Sequence, residues 1–448
     1  MTNPFAVERQ PEALESLSPL SSNLGRAKIV VFGTFGVGNI GNECTLEAML
    51  RNIRRYLPSA EILCICSGPE ETTANYGIQA FPIRHAVSDD QLFGAHARSD
   101  NTLVRGLRKL VRLSMEPCRW YKAFKILKGK DMLLITGLGM LGDFGISPFG
   151  LHYDILGWSI VAKLCRCKLE FVSVGVGPIR DPVSRWFVKT ALALGDYRSY
   201  RDRFSKEYLE GIGFSTMSDR VHPDLAFSLP KAMLPASKKR GDHKAVIGVG
   251  LIEYHDRRGR SENGDRNYRK YLASVAGVVC MLMDRGYTVR LLIGDTRYDQ
   301  GVRRDLRVLL EARGQEYVDA RLVDEPASSG AELLSQLAVT DVVLASRFHN
   351  VLLAIMLRKP VVAVSYHEKI VSLMDEFGLS EFCHDIEDFD ADKLIGQITT
   401  LERDKGSVKR RTAIEQRSEV YRKLLDEQYE FIFSMLSRSI LPKAPALN

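Results

Sequence analysis

The chain has 448 residues, of which 45% are hydrophobic and 26% are charged, and its formal net charge is +7. This length exceeds one ordinary hydrophobic core, so two domains are expected, and the composition is that of a soluble globular protein. The mild basic excess favours acidic substrates or an anionic surface but lacks the strong charge asymmetry of a nucleic-acid binder, so no nucleic-acid partner is expected.

The start of the chain and its cysteines limit the expected location. Residues 1–26 lack the apolar segment of a signal peptide and are predicted to be a disordered tail. No apolar run reaches the roughly 20 residues of a membrane span. The eight cysteines show no metal-ligand spacing, which favours free thiols in a reducing compartment. We therefore expect a cytoplasmic protein with neither a metal nor a cofactor.

A first domain is predicted over residues 27–230, where buried strands alternate with helices. Three strands end in glycine-rich loops, at residues 33–43, 137–145 and 175–178. Because the carboxyl ends of parallel strands share one edge of a sheet, these loops are predicted to form one wall of a cleft. The first loop matches G-x-G-x-x-G, but a sharp turn without a ligand explains it equally well, because no ribose-binding acid ends the second strand.

The segment from residue 105 to 128 places basic residues on one side of a predicted helix and apolar residues on the other. Its basic residues are Arg105, Arg108, Lys109, Arg112, Arg119, Lys122, Lys125 and Lys128. A solvated helix face over a core explains this pattern. Contact with an anionic membrane surface or a lipid diphosphate also explains it, and would place the protein peripherally at the inner face of the membrane.

Further along the chain, a short strand near residues 197–200 leads to Arg201, whose position at a strand end favours a ligand role over a purely structural ion pair. Residues 231–244 are polar, contain a proline and a basic run, and are typical of an interdomain linker. A second alternation of strands and helices covers residues 245–405. The pattern predicts two Rossmann-like parallel-sheet domains that face each other across a cleft.

A charged helix and tail are predicted over residues 406–448, and the helix is expected to pack back over both domains. Apolar residues at helical spacing predict its packing face, namely Ile414, Val420, Leu424, Tyr429, Ile432 and Phe433.

The segment Ser346-Arg347-Phe348-His349 follows a buried strand and precedes an apolar helix predicted over residues 351–357. Arg347 and His349 therefore lie where a parallel strand meets a helix, a position at which open α/β sheets bind ligands and helix N-termini attract anions. A guanidinium beside so much apolar chain needs a counter-charge, which an anionic substrate would supply. His349 suits proton transfer near neutral pH, but a histidine at a helix start is more often structural.

Together these motifs resemble those of the polysaccharide pyruvyl transferase family, from Lys28 to about Gly378. The matching segments are Gly33-Thr34-Phe35-Gly36, Asn39-Ile40-Gly41-Asn42-Glu43, the loop from Gly137 to Asp143, Gly175-Val176-Gly177-Pro178, Arg201-Asp202, Pro223-Asp224-Leu225-Ala226-Phe227, Ser346-Arg347-Phe348-His349, Pro360-Val361-Val362 and Ser365-Tyr366. Their order and spacing carry the resemblance. The chain departs from the usual pattern at Asn42, where an acid is usual, and at Leu138, where a glycine is usual.

The resemblance implies a GT-B-like fold and the transfer of a pyruvyl group from phosphoenolpyruvate to sugar hydroxyls of a polysaccharide or its lipid-linked precursor, with a cyclic ketal and phosphate as products. It implies that the second domain holds the donor and the first the sugar acceptor. The implied donor-binding residues are Arg347, Phe348, His349 and Arg201. The acceptor-side candidates are Gly36, Asn39, Glu43, Gly139 and Asp143.

With the resemblance included, His349 is the predicted acid that protonates the methylene carbon of phosphoenolpyruvate. The base for the attacking hydroxyl is not identified, and Glu43 and Asp143 are candidates by position alone. Two other functions fit the same fold, a nucleotide-sugar glycosyltransferase and a non-catalytic saccharide-binding protein. A thermal-shift screen with phosphoenolpyruvate, phosphate and nucleotide sugars separates the three, because a ligand of the folded state raises its melting temperature.

Overall fold

The computed structural model describes residues 26–84, 116–142, 147–236, 244–255, 264–312, 314, 318, 320–403 and 408–440. Apart from its last residue, the predicted tail at residues 1–26 lies outside the described residues. The same holds for half of the predicted linker, residues 237–243, and for residues 105–115 of the basic segment.

The first sheet contains seven parallel strands in the order β3-β2-β1-β4-β5-β6-β7. The strands are β1 Lys28–Gly33, β2 Glu61–Cys66, β3 Gln79–Pro82, β4 Met132–Thr136, β5 Lys168–Val174, β6 Tyr197–Tyr200 and β7 Arg220–Val221. The helices between them are α1 Ile40–Tyr56, α2 Pro69–Tyr76, α3 Leu151–Leu164, α4 Pro182–Ala193 and α5 Arg203–Gly211, and residues 116–127 are also helical. Strand β4 is buried throughout, as expected for a parallel sheet covered on both faces.

The second sheet contains six parallel strands in the order β10-β9-β8-β11-β12-β13. The strands are β8 Val246–Gly250, β9 Thr288–Leu292, β10 Leu322–Val323, β11 Val342–Ala345, β12 Val361–Ser365 and β13 Cys383–Asp385. The helices are α6 Gly264–Asp284, α7 Asp299–Glu311, α8 Gly330–Ala338, α9 Phe348–Met356, α10 Glu368–Glu376 and α11 Ala391–Arg403, and the last described element is the helix α12 Val408–Ile440. The two predicted parallel-sheet domains are therefore confirmed.

Both sheets reverse their strand order at a central pair, β1 with β4 in the first sheet and β8 with β11 in the second. The residues that follow β1 meet the second domain directly. The backbone N–H of Ile40 donates to the carbonyl of Gly294 at 3.0 Å, and the N–H of Thr296 donates to the carbonyl of Gly38 at 2.8 Å. The switch points of the two sheets, where ligands of such folds bind, are thereby brought close together.

Helix α12 packs against both domains, as predicted. In the first domain, the hydroxyls of Tyr429 and Ser228 lie 3.2 Å apart. In the second domain, the ring of Tyr421 packs edge-on against Phe377, with centroids 5.3 Å apart. The predicted packing face was wrong at Val420, which is 48% exposed, because the buried residues include Tyr421 and Leu425, one position further along the helix.

Two helices begin earlier than the positions that the sequence pattern predicts, which are about Thr45 for the first and Val351 for the second. The side chain of Asn39 accepts a hydrogen bond from the N–H of Asn42, so α1 begins at Ile40 within the glycine-rich loop. Helix α9 begins at Phe348, which leaves Arg347 as the last extended residue and places His349 in the first turn. In the described ranges, none of the helices has both the length and the apolar character required to cross a membrane.

Candidate active site

His349 lies in the first turn of α9, against the start of α1 from the other domain. A β-carbon built on Gly41 of α1 would lie 1.9 Å from the Nδ1 atom of His349, so a side chain at position 41 would displace the imidazole. The His349 side chain is only 15% exposed. Its imidazole is therefore held between the two domains by backbone contact.

Arg201 reaches His349 from the first domain. It follows β6, and its guanidinium lies 4.8 Å from the ring centroid of Phe348. A β-carbon on Gly175 would lie 2.6 Å from the guanidinium, which explains a glycine at that position. The structure thus brings together three of the four predicted donor residues, Arg201, Phe348 and His349.

Asp224 lies between these groups. The sequence motifs alone gave it no predicted role in the site. Its Oδ2 atom is 3.6 Å from a guanidinium nitrogen of Arg201 and 3.8 Å from Nε2 of His349. Its Oδ1 atom accepts a hydrogen bond of 2.9 Å from the N–H of Ala226. The available signal was its place in Pro223-Asp224-Leu225-Ala226-Phe227, directly after an edge strand.

Arg347 has a different environment from the one predicted. The buried carboxylate of Asp299 supplies a counter-charge within the protein, and both carboxylate oxygens accept from the guanidinium, Oδ2 from Nε at 3.0 Å. Burial lowers the pKa of Arg347, but Asp299 more than offsets this and the pKa lies above its ordinary value. The sequence pattern did not reveal this counter-charge, because Asp299 begins α7, 48 residues earlier in the chain.

The charges around His349 act in both directions. Burial is the main cause that lowers the pKa of His349 to about 4, and the negative charge of Asp224 raises it in part. Three cations lower it further, namely Arg201, Lys369 and Arg347. The free imidazole is therefore neutral near pH 7, in a strongly positive environment.

Lys369 and Tyr366 extend this positive environment, and neither was predicted as a site residue from the sequence. The Nζ atom of Lys369 lies 5.7 Å from the ring centroid of Phe348 and 5.1 Å from that of Tyr366. Burial raises the pKa of Tyr366, but nearby cations, Lys369 first, bring it below its ordinary value. Both residues follow β12, whose carboxyl end adjoins that of β11, and this adjacency was the signal available in the sequence.

The acceptor-side candidates of the first loop have structural contacts. The carboxylate of Glu43 accepts hydrogen bonds from the N–H of Gly36 at 2.8 Å and the hydroxyl of Tyr76 at 3.0 Å. Burial raises the pKa of Glu43, and these two hydrogen bonds oppose the increase. Asn39 caps α1 and donates to Asp295 of the second domain at 3.2 Å.

Glu43 lines a separate cavity of about 310 Å³ between the domains, to which Glu47, Glu71 and Glu332 also contribute. Since residues 41 and 43 lie about 200° apart around a helix, this cavity is on the side of α1 that faces away from His349. The structure therefore does not bring Glu43 together with the predicted donor residues.

Gly139 lies with the His349 cluster, whereas Asp143 lies outside the described residues. The Cα atom of Gly139 is 3.4 Å from a β-carbon built on Gly175, and Gly139 itself is exposed. At the first departure from the family pattern, the Asn42 side chain donates to the backbone carbonyl of Thr34 at 2.9 Å, a structural contact.

Within the described residues, no group of three or more His, Cys, Asp or Glu side chains is arranged to hold a metal ion. In the described part of the basic segment, Lys122, Lys125 and Lys128 are exposed. Arg119 instead forms ion pairs with Glu116 and Asp154 and is only 15% exposed, so it does not belong to a free basic face. Membrane contact through this segment remains a prediction.

Comparison with solved structures identifies the fold. A putative UDP-N-acetylglucosamine 2-epimerase from Listeria monocytogenes aligns over 88% of this chain and 91% of its own, with a TM-score of 0.55 and 10% identity. A glycosyltransferase from Rickettsia africae aligns over 94% of this chain and 100% of its own, with a TM-score of 0.54 and 12% identity. These likenesses confirm the predicted GT-B-like fold.

Comparison of sequences identifies the family. Among curated proteins, the amylovoran biosynthesis protein AmsJ of Erwinia amylovora is 22% identical over 401 residues, which are 83% of this chain and 91% of AmsJ. The sequence model of the polysaccharide pyruvyl transferases matches residues 39–368, a span that contains Gly41, Arg201, Asp224 and His349. The chain therefore belongs to the polysaccharide pyruvyl transferase family.

Proposed function

We propose that this protein transfers the pyruvyl group of phosphoenolpyruvate to two hydroxyls of a sugar, forms a cyclic ketal and releases phosphate. The acceptor is a polysaccharide or its precursor, and the pathway is exopolysaccharide synthesis. The family membership and the name of the Erwinia relative support the reaction class and the pathway.

One observation carries the choice of donor: Arg201 of the first domain stacks on Phe348, beside His349 of the second domain. Phosphoenolpyruvate bears a carboxylate and a phosphate, and both groups bind well to guanidinium, to ammonium and to the N–H groups of a helix start. Arg201, Lys369 and the first turn of α9 offer these partners at one place. Two nitrogens of the Arg347 guanidinium already bind Asp299, so this residue attracts the donor through its positive charge rather than through a bidentate hydrogen bond.

In this reaction His349 is the acid. The bound trianion raises the pKa of the imidazole, which is low in the free protein, so that His349 carries a proton in the complex. Transfer of that proton to the methylene carbon makes C2 electrophilic. One sugar hydroxyl then attacks C2, and a second hydroxyl displaces phosphate to close the ketal.

Thermal-shift measurements test the choice of donor. Phosphoenolpyruvate is expected to raise the melting temperature more than equimolar inorganic phosphate, because it adds a carboxylate contact, and UDP-N-acetylglucosamine is expected to have no effect. Stabilisation by the nucleotide sugar alone would favour a glycosyltransferase and contradict the proposal.

Turnover tests the assignment of the acid. His349→Ala is expected to lower phosphate release from phosphoenolpyruvate by at least about 100-fold, while the thermal shift induced by the donor persists. Methyl hexopyranosides with free 4- and 6-hydroxyls serve as acceptor probes, and mass spectrometry detects the ketal. His384→Ala is the matched control, because His384 contacts Gln397 at 2.7 Å on the edge strand β13. Equal turnover in wild type and His349→Ala would exclude His349 as the acid.

A further inference from the structure

Two polar atoms face each other at the centre of the site without a hydrogen bond between them. Nε2 of His349 and Oδ2 of Asp224 are 3.8 Å apart, and neither has a hydrogen-bond partner among the described residues. Buried polar atoms without partners are rare, because each costs free energy in the folded protein. In this pair a carboxylate faces an imidazole, so the charge of one group affects the protonation of the other.

The position of the Asp224 carboxylate is fixed by its surroundings. Its side chain is 1% exposed, and the Oδ1 atom caps the short helical turn Leu225–Ser228 through the N–H of Ala226. Phe227 of the same turn stacks on Phe377 of the second domain, with ring centroids 5.7 Å apart. The turn is therefore anchored to both domains, and Oδ2 is held towards His349.

The charged groups around this pair come from several elements. Arg201 lies 3.6 Å from the same Oδ2 atom, and Asp202 binds the other side of Arg201 at 3.4 Å. Lys369 of α10 and Arg347 beside α9 add positive charge near His349. Burial, and to a lesser extent the charge of Asp224, raises the pKa of Cys44 and of Tyr429. Both groups are therefore neutral at physiological pH and add no charge near the pair.

We propose that Asp224 is the positioning residue for proton transfer in this site, because its Oδ2 atom holds the proton on Nε2 of His349 until the methylene carbon of the donor takes it. This inference rests on the proposed pyruvyl transfer, and it makes His349, once it has given up its proton, the acceptor for the proton of the sugar hydroxyl. Among three cations, a neutral imidazole is otherwise favoured, and one fixed carboxylate at short range opposes this.

With this pair, each proton given up in the reaction has an acceptor. The N–H bond of His349 breaks as the C3–H bond of the donor forms. The first sugar hydroxyl then forms its bond to C2, and its proton passes to the neutral imidazole of His349, which restores the starting state. The second hydroxyl forms its bond to C2 as the bond to phosphate breaks, and its proton leaves with the phosphate.

The pKa of His349 in the free protein, measured by NMR with labelled histidine, tests this role without any substrate. The His349 signal is identified by its loss in His349→Ala. Asp224→Asn preserves the cap on Ala226 and removes the charge, so the pKa of His349 is expected to fall by about one unit or more. Asp202→Asn is the matched control, because Asp202 also caps a helix, through Ser205, but lies on the far side of Arg201. An unchanged pKa in Asp224→Asn, or an equal fall in both variants, would overturn the inference.

The pH profile of turnover provides the second test. Activity that requires protonated His349 is lost as pH rises through the pKa of the imidazole in the complex. Asp224→Asn is therefore expected to move this loss to lower pH and to reduce kcat by about 10- to 100-fold, and Asp224→Glu is expected to restore part of both. A lower kcat with an unshifted profile would make Asp224 merely structural. If wild type fails to consume phosphoenolpyruvate, the proposed function fails, but the NMR result still decides whether Asp224 holds the proton.

Discussion

Each domain places an arginine at the carboxyl end of a strand, but the two arginines have different surroundings. Arg347, after β11, is bound through both carboxylate oxygens of the fully buried Asp299. Arg201, after β6, stacks on the Phe348 ring, and its contacts with carboxylates of the described residues are long, 3.4 Å to Asp202 and 3.6 Å to Asp224. The guanidinium of Arg347 is thus matched within the protein, whereas that of Arg201 has donor capacity left for a ligand.

This difference shows that a strand-end position alone does not define a substrate-binding arginine. Position brings the guanidinium to the cleft edge in both domains. Whether the guanidinium is free to bind a substrate depends on its partner within the protein. For Arg347 that partner is Asp299, at the start of α7. We expect Arg347 to be mainly a stabilising residue that adds positive field, and Arg201 to be the arginine that contacts phosphoenolpyruvate.

The largest expected effect is on stability. Arg347→Ala leaves the Asp299 carboxylate buried and unpaired, so the free energy of unfolding is expected to fall by about 3–5 kcal/mol in urea denaturation. Adding Asp299→Asn to this variant is expected to recover part of the loss, because the amide still accepts from the N–H groups of Gly294 and Asp295 without an uncompensated charge. If Arg347→Ala retains full stability and loses only donor binding, the main partner of Arg347 is the substrate. The proposed difference between Arg347 and Arg201 would then be wrong.

The next effect concerns the contact between the domains beside the two arginines. Gly41→Ala places a methyl group where Nδ1 of His349 lies, and the imidazole must move. Turnover is expected to fall by about 100-fold, because small displacements of a catalytic group have large effects on rate. Gly277→Ala in α6 is the control, since a β-carbon there meets nothing within 4 Å and alanine favours a helix. Wild-type turnover in Gly41→Ala would show that His349 tolerates a different position.

Replacement of Arg201 by lysine sharpens the contrast further. Lysine keeps the charge but loses the planar stack on Phe348 and the fork that binds carboxylate or phosphate. We expect KM for phosphoenolpyruvate to rise about tenfold, equivalent to about 1.4 kcal/mol, with a smaller change in kcat. Arg198→Lys is the control on the same strand, because Arg198 binds Asp219 through two nitrogens, at 2.9 and 3.0 Å, away from His349. An equal rise in KM for both variants would indicate an indirect effect on β6.

Local patterns predicted the fold well because they reflect short-range constraints. Apolar runs such as β4 and β11 are buried throughout and were visible as strands. The short strands β7 and β10 have two residues each and no apolar run, so pairing with a neighbouring strand defines them. The start of α1 depends on the Asn39 cap, a single side-chain contact inside a loop that resembles a nucleotide-binding turn.

The sequence predicted site residues only where the position of a residue at the end of a strand was itself informative. His349 and Arg201 were identified by their places at strand ends, and the structure brings them to one cluster. Asp224 and Lys369 reach the His349 cluster because the two domains pack against each other. A local sequence pattern does not predict this packing. The environment of Arg347 was not predictable for the same reason, since Asp299 is distant in sequence.

The smallest expected effect concerns Glu43, which lines the acidic cavity on the side of α1 that faces away from the His349 cluster. Glu43→Gln retains an oxygen that can accept from Gly36 or Tyr76, and the residue faces away from His349. We expect kcat and KM for phosphoenolpyruvate to change by no more than about twofold, less than 0.5 kcal/mol. A large loss of kcat with an unchanged KM for the donor would instead identify Glu43 as the base for the sugar hydroxyl. It would also assign the acceptor to the cavity of about 310 Å³, and steady-state kinetics with varied acceptor concentration would then show the defect in acceptor use.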